Sequence, residues 1–313
     1  AKRAVRRTGR RRGGTDRPAA EAPAGSDDRE PDAADPVEVV PVRRVRSLVI
    51  AGFSALLGVG LILGAQTSGP DSRAPYAIVV FGVQLLFILA WTMAIRPPAV
   101  RTVAGVAVAV AAAADAAAVL TRSASLFPVF LVALGGFGLA ILGQLLRRAD
   151  RARITDTVGS TLMIIAGVVS FATLIVLTRR PAGTQAVVLC LLAAGVSLMV
   201  ARLVDIVFPR PRMAPQVPRG ATGVVLGAML GTLVSAVVGR YLVGFSPTSA
   251  AVVGLVAAGV AGLADLAVNY AEAGRQMAGD APTFWVARHM QGPLGGFALA
   301  APGAYAITVF YLG

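Results

Sequence analysis

The chain has 313 residues, 56% of them hydrophobic and 14% charged, with a formal net charge of +13. A soluble domain carries about 25% charged residues, so a water-facing surface cannot be built from what remains. Of the 29 basic residues all are Arg except Lys2, and they are not interleaved with stacking aromatics, which argues against a nucleic-acid partner and for charge that flanks membrane spans.

Residues 1–46 differ from everything after them. Seven basic residues fall between Lys2 and Arg12, and a Pro-, Ala-, Asp- and Glu-rich stretch runs on to Asp35. Such a segment has too little apolar area to offset chain entropy, so it reads as a disordered cytoplasmic tail. It is not a signal peptide, because a long polar stretch separates its basic cluster from the first apolar block. Arg43, Arg44 and Arg46 abut that block. Basic residues so placed either set topology or sit against anionic lipid.

From residue 47 onward the chain reads as nine apolar blocks, at 47–66, 75–95, 102–120, 126–146, 158–177, 185–204, 221–239, 249–268 and 294–312. Each is near the length of about 20 helical residues that a hydrocarbon core of about 30 Å requires. The expected fold is all-α, a polytopic membrane helix bundle of about nine transmembrane helices over residues 47–313. With the N-terminus inside, eleven arginines fall in inner connectors: Arg96, Arg101, Arg147, Arg148, Arg151, Arg153, Arg210, Arg212, Arg219, Arg275 and Arg288. Five fall outside, at Arg73, Arg122, Arg179, Arg180 and Arg240. The positive-inside rule then places the N-terminus in the cytoplasm and the C-terminus outside. Preference for Arg over Lys, with abundant Ala, Val, Gly and Pro, implies GC-rich coding and hence a bacterial cytoplasmic membrane.

Small residues recur within the blocks, as in Gly135-Gly136-x-Gly138 and Gly227-x-x-x-Gly231, and read as packing seams. Two inner connectors are long. Residues 205–220 hold four prolines and three arginines, and residues 269–293 hold Glu272, Arg275, Asp280, Trp285, Arg288 and His289. Within the second, residues 284–289 have the aromatic and basic mixture of an interfacial segment. Cys190 and His289 are each the only residue of their type, which leaves no intramolecular disulfide and no Cys- or His-rich zinc site.

Charged residues inside spans are costly and mark candidate sites. Asp115 is one, of unknown role. Arg202 and Asp205 lie three apart near the inner end of the sixth block, where they could pair on one helix face. Asp265 lies near the inner end of the eighth, with Asn269 one turn on. The candidate headgroup, nucleotide or cation site is therefore Asp205, Asp265, Asn269, Arg210, Arg212 and Arg219, with no metal assigned. A structural pairing of Asp265 with a nearby Arg is the alternative.

Three segments between residue 186 and the C-terminus carry a family likeness. They are Val207-Phe208 with Met213-Ala214-Pro215-Gln216-Val217-Pro218-Arg219 and Gly223, then Ala264-Asp265-Leu266, then Gly292-Pro293-Leu294-Gly295-Gly296 before a block containing Pro302. Their order and spacing resemble the C-terminal part of the phosphatidate cytidylyltransferase (CDP-diacylglycerol synthase) family. There they correspond to a Pro- and Lys-rich loop, a Gly-Asp-Leu segment and a Gly-His-Gly-Gly segment. The resemblance implies a helical membrane fold with a cytoplasmic cavity. It also implies transfer of CMP from CTP to phosphatidic acid, with acidic residues holding Mg²⁺ and Lys or Arg holding phosphates.

The departures bear on activity. Where the family continues with Lys-Arg-Asp, this chain has Glu272-Ala273-Gly274, and no Asp or Glu follows Asp280. No Lys follows Lys2, and the family's Asp in the preceding helix would fall near Leu198. Phosphoryl-group transfer depends on metal and cationic clamps, so the expected protein is non-catalytic, with no cofactor. Its expected partners are the bilayer, an anionic phospholipid and other membrane proteins. The alternatives are an active CTP-dependent cytidylyltransferase using Mg²⁺ and a transporter or permease built around Asp115.

Overall fold

A computed structural model describes residues 39–68, 72–97, 99–121, 123–145 and 154–311. Most of the expected tail, and with it Arg122, Arg147, Arg148, Arg151 and Arg153, lies outside the described residues. The helices run as α1 (Arg44–Gln66), α2 (Ala74–Ile95), α3 (Val100–Leu120), α4 (Phe127–Leu145), α5 (Ile154–Leu177) and α6 (Gly183–Val207). A two-stranded antiparallel hairpin follows, β1 (Arg212–Ala214) with β2 (Val217–Gly220), then α7 (Ala221–Gly239), α8 (Pro247–Met277) and α9 (Trp285–Tyr311). Among the described residues nine helices are long and apolar enough to cross a membrane. The fold is an all-α bundle of the multi-pass membrane type.

The expected bounds of α7 coincide with the observed ones, but α8 and α9 depart from theirs. Hydropathy falls at Asn269, yet nothing there breaks a helix, and α8 continues to Met277. Glu272 supports the extension by accepting from Arg275 and Gln276, three and four residues on. It ends in a Schellman motif: Gly279 has φ +80°, its N–H donates to the Gln276 carbonyl, and the Asp280 N–H donates to the Arg275 carbonyl. At 31 residues α8 is about 46 Å long, well beyond a core of about 30 Å. Of residues 284–289, expected to lie along the surface, Trp285 to His289 form the first turn and more of α9, with Ala287 and His289 buried.

Close backbone approach holds the bundle together. Gly223, Gly227, Gly231, Ser235 and Gly239 repeat every fourth residue along the buried stripe of α7. A Cβ at Gly223, Gly227 or Gly231 would collide with the carbonyl oxygen of Ala201, Ser197 or Ala193 on α6, and Ser235 Oγ donates to the Leu189 carbonyl at 3.2 Å. This is small-residue packing of membrane helices, as expected at Gly227-x-x-x-Gly231. Phe297 of α9 fills the centre between Gly58 of α1 and Gly195 of α6. On the opposite side from the hairpin, Arg73 and Arg179 donate to the Val119 and Ala118 carbonyls, and Arg180 donates to the Ala124 carbonyl. Three arginines expected outside are thus spent on the open carbonyls at the end of α3 and in the connector after it.

Candidate functional site

The long projecting ends of α6, α8 and α9, the hairpin and the start of α1 meet at one rim of the bundle. Here lies a sealed charge cluster. Arg202 Nη2 donates to Asp265 Oδ1 at 2.5 Å, Arg219 Nη1 lies 3.0 Å from Asp265 Oδ2, and Arg219 Nε lies 3.3 Å from Asp205 Oδ2. The Gly220 N–H donates to Asp205 Oδ1 at 2.9 Å. Asp205, Asp265 and Arg219 are at most 1% exposed and Arg202 5%. The Arg219 contacts are charge contacts without hydrogen-bond alignment.

Glycines make the closure possible. A Cβ at Gly292 of α9 would strike the Asp265 carboxylate, and one at Gly223 of α7 would strike that of Asp205. Two buried cations and two buried anions therefore balance in one compartment that four helices and β2 shut. Buried charge is tolerable only when paired in this way.

Several expectations about these residues are corrected. Arg202 and Asp205 do not pair along α6, since each finds its partner across the interface, on α8 and β2 respectively. Asn269 donates to the backbone carbonyl of Asp265 at 2.5 Å rather than meeting its carboxylate. Arg210 is exposed, and only its carbonyl is engaged, accepting from Thr222. Arg212 Nη1 donates to the Val40 carbonyl at 2.6 Å, while the Val40 N–H donates to the Pro215 carbonyl. These bonds tie the chain entering α1 to the hairpin. So Asp205, Asp265 and Arg219 come together, and Arg210 and Arg212 stand apart.

The cluster does not fit a Mg²⁺ ion. Each oxygen of Asp205 and Asp265 already faces an arginine or a backbone N–H. Among the described residues no group of three His, Cys, Asp or Glu side chains is placed to share a metal.

Beside the cluster a cavity of about 570 Å³ opens between the start of α1, the hairpin and the α8–α9 link. Arg43, Arg46, Arg202 and Arg288 line it together with Thr283 and His289, and among the described residues no Asp or Glu lines it. Arg202 is committed to Asp265, and Arg288 Nε lies 3.5 Å from Glu272. Glu272 is itself taken up by Arg275 at 2.6 Å, Gln276 at 2.9 Å and Thr283 at 2.6 Å. Arg46 is half-buried and makes no hydrogen bond or ion pair among the described residues. Positive charge thus exceeds negative at this mouth, and guanidinium groups suit a phosphate or carboxylate ligand.

Sequence reasoning treated Arg43 and Arg46 as flanking charge and missed their convergence with Arg288. The signal was their placement just before the first span. Asp115 lies elsewhere, on α3. It accepts from Gln84 Nε2 at 2.8 Å, and the same amide donates to the Val168 carbonyl at 3.1 Å. That arrangement ties α2, α3 and α5 together.

Comparison with protein-family models, curated proteins and solved structures finds no match to this chain.

Proposed function

We propose that this is a non-catalytic multi-pass protein of a bacterial cytoplasmic membrane. In this reading the hairpin side faces the cytoplasm, and the rim cavity holds the phosphate of an anionic phospholipid headgroup. The observation that carries the reading is the cavity lined, among the described residues, by Arg43, Arg46, Arg202 and Arg288 and by no carboxylate. Inner-leaflet anionic lipid attracts juxtamembrane arginines by about 1 kcal/mol each. The concentration of arginine at the hairpin side agrees with that side being cytoplasmic.

A cytidylyltransferase-like scaffold is part of this proposal. Its support is that the three segments carrying the resemblance converge: Arg219 of the Pro-rich loop contacts Asp265 of Ala264-Asp265-Leu266, and Gly292 packs on the same carboxylate. Arginine in this scaffold neutralises the acids where an active relative would place metal. The arrangement favours ligand binding over group transfer.

The test uses the full chain in nanodiscs or mild detergent. Phosphatidic acid or phosphatidylglycerol should bind more tightly than phosphatidylcholine, and Arg46→Ala with Arg288→Ala should weaken that binding by about tenfold, or about 1.4 kcal/mol. Equal binding of anionic and neutral lipid would overturn the headgroup reading. Incorporation of CMP from labelled CTP into phosphatidic acid above a membrane blank would overturn the non-catalytic one.

A further inference from the structure

On another face of the bundle, a groove of about 740 Å³ runs between α2, α5, α8 and α9. Its walls are made of small residues, among them Gly159, Ala166, Ala264, Ala267, Ala271 and Ala298. Several of these, including Gly159, Ala166 and Ala267, are exposed, so the groove opens sideways. On α2 it extends from Phe87 to Ile95, about 12 Å along the axis, with Arg96 and Pro97 beyond, and on α5 from Gly159 to Gly167, about 12 Å. That is most of the depth of one leaflet in a hydrocarbon core of about 30 Å. A hydrocarbon chain restores the dispersion contacts that an unfilled apolar groove forfeits.

The end of the groove at the rim carries opposite charges. Arg96 and Asp280 are both exposed there. Arg96 commits one guanidinium nitrogen to the Pro282 carbonyl at 3.3 Å, which leaves its other donors available. The Asp280 carboxylate makes no hydrogen bond or ion pair among the described residues. Among the described lining residues, the third charged one at this end, Arg275, is held by Glu272. The two available charges therefore match a headgroup carrying both a phosphate and an amine.

We propose that this groove holds one phospholipid of the hairpin-side leaflet, its acyl chain along the small-residue walls, its phosphate at Arg96 and its ammonium at Asp280. The occupant is thus a zwitterionic phospholipid such as a phosphatidylethanolamine. The proposal stands apart from the rim cavity, which selects for net negative charge and lies against α1.

The chain's two tryptophans, Trp91 and Trp285, supply the test, because Trp91 lines this groove and Trp285 does not. Trp285→Phe leaves Trp91 as the sole reporter in the full chain. Phosphatidylethanolamine with brominated acyl chains, titrated into detergent micelles, should quench Trp91 with single-site saturation. Gly159→Leu adds bulk where a Cβ meets no atom within 4 Å, and Ala267→Leu adds bulk at an exposed lining residue of α8. Each should abolish most of the saturable quenching, and either variant alone suffices if the other fails to fold. Arg96→Ala with Asp280→Asn should keep the chain bound but lose the preference over brominated phosphatidylglycerol. Quenching that rises without saturation and is untouched by both leucine variants would overturn the site. Equal quenching of the unaltered groove by the two headgroups would overturn the headgroup assignment.

Discussion

Two arginine-rich compartments lie side by side at the rim and behave as opposites. In the sealed one, Arg202 and Arg219 meet Asp205 and Asp265, and helix packing buries all four. In the open one, Arg43, Arg46 and Arg288 gather around a cavity that no carboxylate of the described residues lines. Arg202 touches both. The same residue type therefore serves cohesion where its partner is in the chain and recruitment where it is not. Partner supply separates the two roles.

The largest effect should come from breaking the sealed compartment. Asp265→Ala leaves Arg202 and Arg219 buried without their shared partner, which costs about 3–5 kcal/mol. Thermal unfolding of the purified protein in detergent should show a large drop or no folded protein. A variant as stable as the parent would mean that water reaches the cluster, and the contrast between the compartments would fall.

A smaller effect sharpens the contrast through salt. Raising ionic strength from about 0.15 M to about 1 M shortens the screening length from about 8 Å to about 3 Å. Anionic-lipid binding at the open cavity should weaken steeply, while thermal stability, which rests on the buried cluster, should change little. Parallel loss of both would show that the cluster is also solvent-screened.

The smallest effect belongs to Arg210, which sequence reasoning grouped with the site. Its side chain is exposed and outside both compartments. Arg210→Ala should alter neither melting temperature nor lipid affinity. A measurable fall in affinity would enlarge the cavity's electrostatic footprint to include the hairpin.

Much of the fold was legible because span length is a one-dimensional property. Apolar blocks between arginines located α1 to α7 closely, since a bilayer demands about 20 apolar residues whatever surrounds them. That correspondence ends where helix and span cease to coincide. From Asn269 to Met277 the residues are polar enough to leave the hydrocarbon yet still helix-forming, so α8 outruns its apolar block. The 205–220 connector read only as a long segment with four prolines and three arginines, and its hairpin depends on pairing Arg212 opposite Gly220 and Ala214 opposite Val217.

Part of the site was legible in the same way. Charges at the ends of apolar blocks drew attention to Asp205 and Asp265, because buried charge is costly wherever it occurs, while Arg219 was named from the connector between them. Helical spacing then misassigned their partners. Arg202 and Asp205 share a face of α6, but Asp265 arrives from sixty-odd residues downstream and is the nearer carboxylate.

By itself, then, the sequence determined that the chain is a multi-pass helical bundle and which charges its interior must accommodate, both consequences of solvent preference residue by residue. Only the tertiary structure decided which arginines are neutralised and which remain available. Charge pairing falls off over a few ångströms, and the helices that bring Arg219 to Asp265, or Arg46 near Arg288, are distant along the chain.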